Sequence, residues 1–308
     1  MNDLDSAGLD CLAALADERS FERAAQRLTI TQSAVSQRLR NLEAQVGQLL
    51  VVRSRPLRLT ESGKVLLRFA RQLQALRTDV ARELGARIAP NERIAIAVNA
   101  DSLATWVPPA LDPVVQAGLK EGFGLELIVD DQDFTHDWLR QGEVLGCVST
   151  VKQALRGCVV QPLGVMRYVA VASPEFMQAH LPQGLNEGNF IKTPFLVFNR
   201  KDDSQAQWVA KAFGVRGPRL RERYVPSSEA YVRAVSMGWG VGVAPELQVR
   251  PLIASGELIA LRPELSVDVD LYWHQWKPVS DPASGPERVA LLDQIGQALA
   301  DGAKRALS

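Results

Sequence analysis

The feature that most constrains the fold of this chain is the segment SFERAAQRLTITQSAVSQRLRNLEAQVG, residues 20–47, which predicts two short helices joined by a tight turn. On the second helix, starting after Thr31, apolar residues recur at helical spacing and form a narrow stripe that must face a core. These residues are Val35, Leu39, Leu42 and Val46. The opposite side carries short hydrogen-bonding groups and a guanidinium, which suit the edges of bases: Ser33, Ser36, Gln37, Arg40 and Asn41.

The preceding helix fits the same arrangement, because Ser20 can cap its N-terminus and small residues allow close helix packing. Its apolar side consists of Phe21, Ala24, Ala25 and Leu28. Only residues 29–31 separate the two helices, so the segment predicts a helix-turn-helix whose second helix enters the major groove of DNA. The alternative is an ordinary helical hairpin with a solvated polar face.

Local charge favours the DNA-binding interpretation. Between Arg19 and Arg71 there are eleven lysines and arginines against three acids, although the whole chain balances at 35 against 35. Such a local basic surface is typical of phosphate binding. The segment LLVVRSRPLRLTESG follows and predicts a hairpin wing with a basic tip. The candidate DNA-binding residues are Gln32, Ser33, Ser36, Gln37, Arg38, Arg40, Arg53, Arg55 and Arg58.

A long helix is predicted after the wing, capped by Thr60 and running from Glu61 to about Arg87. Apolar residues along it step by three and four, which predicts a dimer seam. The alternative is an amphipathic helix that lies on its own domain. The predicted helix ends before Ala89-Pro90-Asn91, which we take as a domain boundary. The seam residues are Leu66, Phe69, Leu73, Leu76 and Val80.

Beyond residue 91 the pattern alternates between strands and helices, as RIAIAVN, FGLELIVDD and VLGCVST illustrate. This βαβαβ order predicts a mostly parallel sheet covered on both faces. A second α/β set starts at MRYVAVAS, and the strand VDVDLYWHQW and a last helix from about Gly285 to Ala306 return to the first lobe. Ligands bind outside the carboxyl ends of such strands. The polar residues at these ends are Asn99, Asp101, Ser102, Asp130, Asp131, Ser149, Thr150, Asn199, Ser227, Ser228 and Glu229.

Several other chemistries are disfavoured by the sequence. The glycines at 238, 240 and 242 follow a predicted helix and precede a strand, the reverse of a dinucleotide fingerprint. The three cysteines match no disulfide scaffold or zinc site, and the three histidines lie far apart in sequence. With no nucleophile motif either, we expect no enzyme activity, no cofactor and no metal. Without an export signal or a long apolar run, we expect a cytoplasmic protein.

The residues carry a resemblance to a known family. The segment from Phe21 to Leu67 resembles the winged helix-turn-helix of LysR-type transcriptional regulators. Further on, NADSLATW, VDDQD, SSEAY and LYWHQWK resemble the ArgP/LysG branch, whose members respond to lysine and arginine. The resemblance covers nearly the whole chain.

The resemblance implies an α/β fold class with an N-terminal winged helix-turn-helix, in three parts. Residues 1–60 would form the DNA-binding domain, 61–90 the linker helix that dimerises, and 91–308 a periplasmic-binding-protein-like effector domain. We expect its two lobes to comprise 91–161 with 267–308, and 162–266. The expected partners are double-stranded DNA, a basic amino acid, further copies in a homodimer or homotetramer, and RNA polymerase. The expected target is the promoter of an amino-acid exporter.

Chemistry and resemblance together assign roles to the polar residues at the strand ends. A free basic amino acid needs donors for its carboxylate, for which Ser102, Ser149, Thr150 and Ser228 are candidates. It also needs anionic acceptors, since two buried ammonium-type charges without partners would be prohibitive; Asp131 is the first choice, followed by Asp101 and Glu229. The alternative function is a sequence-tolerant DNA-organising or replication-control protein.

Overall fold

The computed structural model of the protein describes residues 4–83, 93–121, 124–130, 135–277 and 291–307. Its first part, here called the N-terminal unit, comprises residues 4–83. The unit consists of α1 (Ser6–Glu18), α2 (Phe21–Arg27), α3 (Gln32–Val46), β1 (Val51–Val52), β2 (Arg58–Leu59) and α4 (Glu61–Glu83).

Side-chain caps define the helix starts in this unit, as the sequence predicts. Ser20 accepts a hydrogen bond from the backbone of Arg23, and Thr31 accepts one from Ala34. The hydroxyl of Thr60 accepts from Gly63 at 3.0 Å and thereby caps α4. Each cap satisfies a backbone N–H that the helix itself cannot pair.

The core of the N-terminal unit lies between α1, α3 and α4. Val35, Leu39 and Leu42, the predicted stripe of α3, are at most 1% exposed and pack against α1. Val46 packs at the edge of the same core. Burial of each such side chain contributes about 1.5–3 kcal/mol relative to exposure, so the stripe holds α3 in place. The antiparallel pair β1–β2 forms the predicted wing beside it.

Helix α4 presents a different face from the one the spacing predicts. Leu66 is only 8% exposed and lies in the core of its own unit, and Leu73 packs at the edge of that core. Phe69, Leu76 and Val80 are exposed, and so is Val65, which the predicted seam omits. The apolar face of α4 that is free within this chain is therefore rotated relative to the predicted seam. The end of the predicted helix and the boundary at residues 89–91 lie outside the described residues.

The second part contains the strands and helices of the two predicted lobes. Its first elements are β3 (Arg93–Asn99), α5 (Ala100–Ala104), α6 (Val107–Glu121), β4 (Gly124–Asp130), α7 (Thr135–Gln141), β5 (Gly146–Ser149), β6 (Cys158–Ala172) and α8 (Pro174–His180). There follow β7 (Pro194–Val197), α9 (Ser204–Phe213), β8 (Arg221–Tyr224), α10 (Ser228–Ser236), β9 (Gly242–Pro245), α11 (Glu246–Ser255), β10 (Ile259–Leu261), β11 (Val267–Trp276) and α12 (Leu291–Ala306).

One seven-stranded sheet joins the lobes, in the order β10-β6-β11-β5-β3-β4, with β9 also paired to β6. Strand β3 is parallel to β4 and β5, as the βαβαβ pattern predicts. The remaining ladders of this sheet, those of β6 and β11, are antiparallel. The parallel arrangement expected for the first lobe therefore holds for β3, β4 and β5, whereas the strands that join the lobes are antiparallel. Strand β6 also starts at Cys158, before the predicted MRYVAVAS, because it continues from one lobe into the other.

Several predicted elements are confirmed, and three are new. The strands predicted at RIAIAVN, FGLELIVDD and VLGCVST are β3, β4 and β5. The chain breaks between α5 and α6, and Pro108 and Pro109 then occupy the first turn of α6. Helices α8 and α11 and strand β10 were not predicted; α11 contains Pro251, which obscures its helical pattern. In the described residues no helix is long and apolar enough to span a bilayer.

Ion pairs connect the N-terminal unit to the first lobe. The carboxylate of Glu143, which follows α7, accepts a hydrogen bond from Arg19 at 2.7 Å and lies 4.0 Å from Arg71. Arg71 also pairs with Asp17, and Arg68 donates to the carbonyl of Arg140 at 2.6 Å. The Glu143 side chain is only 10% exposed, so its own ion pairs are partly shielded from solvent screening.

Candidate DNA-binding and effector sites

The outer face of α3 carries most of the predicted base-reading residues. Gln32, Ser33 and Gln37 are exposed, and Ser36 is half-buried. Gln37 is held in a chain of hydrogen bonds: its amide nitrogen donates to Asn41 at 2.9 Å, and Arg40 donates to its amide oxygen at 2.7 Å. The chain fixes the orientation of the Gln37 amide beside a guanidinium at the protein surface.

Arg38 differs from the other candidate DNA-binding residues of α3. It is half-buried and lies near the thiol of Cys11 on α1. Burial raises the pKa of Cys11, and the Arg38 guanidinium partly opposes that rise. Arg38 therefore contacts the neighbouring helix in this structure.

The wing places three guanidinium groups at the surface. Arg53 and Arg55 lie between β1 and β2, Arg58 lies on β2, and all three are exposed. The guanidinium of Arg53 lies over the ring of Phe21, 5.3 Å from its centroid. This cation–π contact joins the wing to α2 at the start of the helix-turn-helix.

A cleft lies between the two lobes, where strand ends and helix starts from both converge. Its enclosed volume is about 50 Å³, and the empty space reaches about 620 Å³ when the open mouth is included. Its described lining comes from five separate segments of the chain, which fall within 99–101, 168, 198–204, 228–231 and 243–245. The lining residues are Asn99, Ala100, Asp101, Tyr168, Phe198, Lys201, Asp202, Asp203, Ser204, Ser228, Tyr231, Val243 and Pro245.

Asp101 on α5 joins the lobes across this cleft. One carboxylate oxygen accepts a hydrogen bond from Tyr168 at 2.7 Å, and the other accepts one from Ser228 on α10 at 2.6 Å. Hydroxyl donors stabilise the charged form of a carboxylate. Beside it, Asn99 is 2% exposed, and its side-chain oxygen has no hydrogen-bond partner within the described structure. An unpaired buried acceptor is costly, so this atom is suited to a donor from a ligand.

The second lobe contributes a charged segment before α9. The carboxylate of Asp202 accepts from the backbone N–H groups of Phe198 and Ser204, both at 3.0 Å, and from the Gln205 amide at 3.1 Å. Lys201 and Asp203 flank it and are exposed. Backbone donors thus fix the Asp202 carboxylate in place just before the N-terminus of α9.

Tyr231 on α10 lines the cleft next to that segment, and its hydroxyl makes buried hydrogen bonds. Its hydroxyl donates to the Leu196 carbonyl at 3.0 Å and accepts from the Val243 backbone at 2.9 Å. Burial raises the pKa of Tyr231 well above its ordinary value. The ring is therefore neutral and clamps β7 to β9 behind the cleft.

The structure brings Asp101 and Ser228 of the predicted effector residues together in the cleft. The others lie elsewhere or have other partners. The Ser102 hydroxyl accepts from the Trp106 indole at 3.0 Å, and that of Ser149 accepts from the Val151 backbone at 3.1 Å. Outside the described cleft lining are Ser102, Ser149, Thr150, Asn199, Ser227 and Glu229. Asp131 lies outside the described residues.

The sequence interpretation missed Tyr168, Lys201, Asp202 and Asp203. The last three could have been found, because KDDS follows the strand PFLVFN after one residue, Arg200, and opens a helix, as the strand-end rule requires. Tyr168 carries no such signal, since it lies inside a strand. Its place in the cleft depends on β6 passing between the lobes.

Two histidines and two cysteines lie near β5, outside the described lining of the cleft. Burial lowers the pKa of His274 and of His136, whose rings are 5.0 Å apart. Burial raises the pKa of Cys147, and it raises that of Cys158 to about 12, so both thiols are protonated. No group of His, Cys, Asp and Glu in the described part is arranged to hold a metal ion.

Comparison with known proteins agrees with this architecture. Residues 7–64 match the bacterial regulatory helix-turn-helix protein family described as lysR, and residues 88–284 match the LysR substrate binding domain. The HTH-type transcriptional regulator ArgP of Aeromonas salmonicida is 42% identical over 312 residues, covering 100% of this chain and 99% of the relative.

Two solved structures are similar along the whole chain. The crystal structure of ArgP from Mycobacterium tuberculosis has a TM-score of 0.83 at 38% identity and covers 99% of each chain. Full-length LysG from Corynebacterium glutamicum, solved with bound effector Arg, has a TM-score of 0.72 at 36% identity and covers 98% of this chain and 99% of that one. With both family matches and a relative of this identity over its full length, the chain belongs to the LysR family of transcriptional regulators.

Proposed function

We propose that this regulator binds promoter DNA through α3 and the wing, and that lysine or arginine held in the interlobe cleft controls its activity. The names of the relatives, ArgP and LysG, and the effector Arg in the Corynebacterium structure support this effector class. An amino-acid exporter gene is the proposed target, because a sensor of an accumulating amino acid suits control of its removal.

One observation carries the proposal: the charge of the cleft. Its described lining contains three aspartates, Asp101, Asp202 and Asp203, and one lysine, Lys201. A free basic amino acid carries two ammonium-type charges and one carboxylate, so its charges complement this lining. Glutamate carries the opposite balance and would place two carboxylates among three aspartates, which is unfavourable at low dielectric.

The charges also favour one orientation of the ligand. The α-carboxylate and α-ammonium of an amino acid are adjacent, and they match the adjacent cation and anions of residues 201–203. The side-chain cation then extends to the facing lobe, where Asp101 and the unpaired oxygen of Asn99 accept its hydrogen bonds. In this orientation the ligand contacts both lobes.

On DNA, the exposed amide and hydroxyl groups of α3 suit base edges. Gln32, Ser33, Ser36 and Gln37 are proposed to reach the major groove, with Gln37 able to pair bidentately with adenine. Arg40, Arg53, Arg55 and Arg58 are proposed to contact phosphates or the minor groove. Arg38 is proposed to act indirectly, by holding α3 against α1.

Assembly is proposed to use the exposed apolar face of α4. Val65, Phe69, Leu76 and Val80 are each at least 36% exposed within one chain. A second copy of α4 covers such a face without any change in the core of the N-terminal unit. The proposed assembly is a homodimer or a homotetramer of such dimers, which contacts RNA polymerase at its promoters.

The test of the effector class is calorimetric titration of the full-length protein with lysine, arginine and glutamate. Lysine or arginine should bind, and glutamate should not bind at millimolar concentration. Asp203→Asn should weaken both basic ligands, whereas Asp112→Asn, on α6 and outside the described cleft lining, serves as the matched control. Absence of heat and of any thermal shift with both basic amino acids up to millimolar concentration would refute this effector class.

A further inference from the structure

A second cavity, here called the α12 cavity, lies between α5, the start of α6, the start of α11 and the end of α12. Its volume is about 450 Å³, within the range of small-molecule sites. Most of its wall is apolar, including Pro109, Leu247 and the Trp106 ring. It touches both lobes, because α11 follows β9 of the second lobe while α5, α6 and α12 cover the first.

The described lining of this cavity contains one charged side chain, which is a cation. Arg305 is the one ionisable side chain in its described lining, and it has no ion pair or hydrogen bond within the described structure. Its neighbour Lys304 is different, since it pairs with Asp301 at 3.6 Å. A Cβ atom at Gly302, which also lines the cavity, would lie 3.9 Å from Nη2 of Arg305. The guanidinium thus lies along α12 at the edge of the cavity.

We propose that the α12 cavity binds a small carboxylate with an apolar, ring-sized body. The carboxylate pairs with the Arg305 guanidinium, whose planar fork suits it. The amide of Gln248 lies in the same wall and orients the ligand, and the apolar body fills the space beside Trp106. Lysine and arginine do not suit this site, because their side-chain cation would face Arg305 without an acid in the described lining.

Hydrogen bonds connect this wall to the effector cleft. The Thr105 hydroxyl donates to the Asp101 carbonyl at 2.6 Å. The Ser228 hydroxyl lies 2.6 Å from the Asp101 carboxylate and 3.0 Å from the Gln248 amide oxygen. A hydroxyl has one proton, so these two acceptors compete for it.

This competition couples the two sites. A carboxylate in the α12 cavity that takes a hydrogen bond from Gln248 turns its amide and changes the Ser228–Asp101 contact across the cleft. The cavity ligand and the cleft ligand therefore alter each other's affinity by the same factor, as linkage requires. The α12 cavity is thus a second input to the regulator, distinct from the basic amino acid.

The test compares two ligands of the same shape, 3-phenylpropionate and its neutral amide 3-phenylpropionamide, by calorimetry on the full-length protein. Wild type should bind the carboxylate at least tenfold more tightly than the amide. Arg305→Gln should remove this preference, and the matched variant Lys304→Gln, one residue away, should retain it. Equal binding of the two ligands to wild type, or an unchanged preference in Arg305→Gln, would overturn the proposal.

A second titration locates the site and does not depend on the proposed effector. Ala306→Trp, at the end of α12, should fill the cavity and abolish phenylpropionate binding while the far-ultraviolet spectrum and thermal midpoint remain those of a folded protein. Undiminished binding to a folded Ala306→Trp protein would place the ligand elsewhere and contradict the assignment. If the variant fails to fold, the Arg305→Gln and Lys304→Gln pair decides alone.

Discussion

The N-terminal unit and the effector cleft differ in how their residues come together. The candidate DNA-binding face arises from one continuous stretch, because the stripe that buries α3 fixes which residues point outward. The cleft takes its described lining from five segments as far apart as Asn99 and Pro245. A local pattern therefore determines the first surface, whereas the second depends on how two lobes are joined. This difference predicts distinct responses to mutation.

The largest expected effect concerns the free face of α4. Phe69→Glu places a charge in the proposed dimer interface, where a buried charge without a partner costs about 3–5 kcal/mol. Sedimentation should show monomers at micromolar concentration. Leu49→Glu is the matched control, since Leu49 is 70% exposed and lies outside α4. An unchanged oligomer with Phe69→Glu would exclude this face as the interface.

A core substitution in α3 should have the next-largest effect. Leu39 is 1% exposed, so Leu39→Ala leaves a cavity and should lower the free energy of unfolding of the N-terminal unit by about 2–5 kcal/mol. Leu49→Ala removes the same atoms at the surface and should change it by less than about 0.5 kcal/mol. Urea denaturation measures both. Similar losses in the two variants would show that the stripe does not hold the unit together.

The smallest effect is on base recognition. Gln37→Ala should cost about 1–3 kcal/mol on the operator and relax specificity at one position. Arg53→Ala should instead weaken operator and random duplex alike and reduce the slope of affinity against salt. Fluorescence anisotropy at two salt concentrations separates the two variants. Equal losses on operator and random DNA for Gln37→Ala would count against its assignment to a base edge.

Sequence reasoning succeeds where a contact is local. Ser20, Thr31 and Thr60 cap the helices that they precede, and the stripe of α3 lies in the core as its spacing predicts. It is less successful on α4, where the periodicity of Leu66 and Leu73 cannot distinguish packing on the same chain from packing on a second copy. Both residues pack on their own unit.

Two serines with the same local pattern have different contacts in the structure. Ser102 and Ser228 both lie in the first turn of a helix after a strand, yet the Trp106 indole occupies the first hydroxyl while the second contacts Asp101. Tyr168 reaches Asp101 because β6 runs from one lobe into the other. The contacts across the cleft join side chains that are distant in sequence, so a local sequence pattern cannot predict them.

The central claim is that the acidic cleft selects a cationic amino-acid side chain. Its most direct test is calorimetry of the full-length protein with arginine and with citrulline, which has nearly the same shape but a neutral side chain. Wild type should bind arginine at least tenfold more tightly than citrulline, and Asp101→Asn should bring the two affinities close together. Equal affinities of wild type for arginine and citrulline, or an undiminished preference in Asp101→Asn, would contradict the claim.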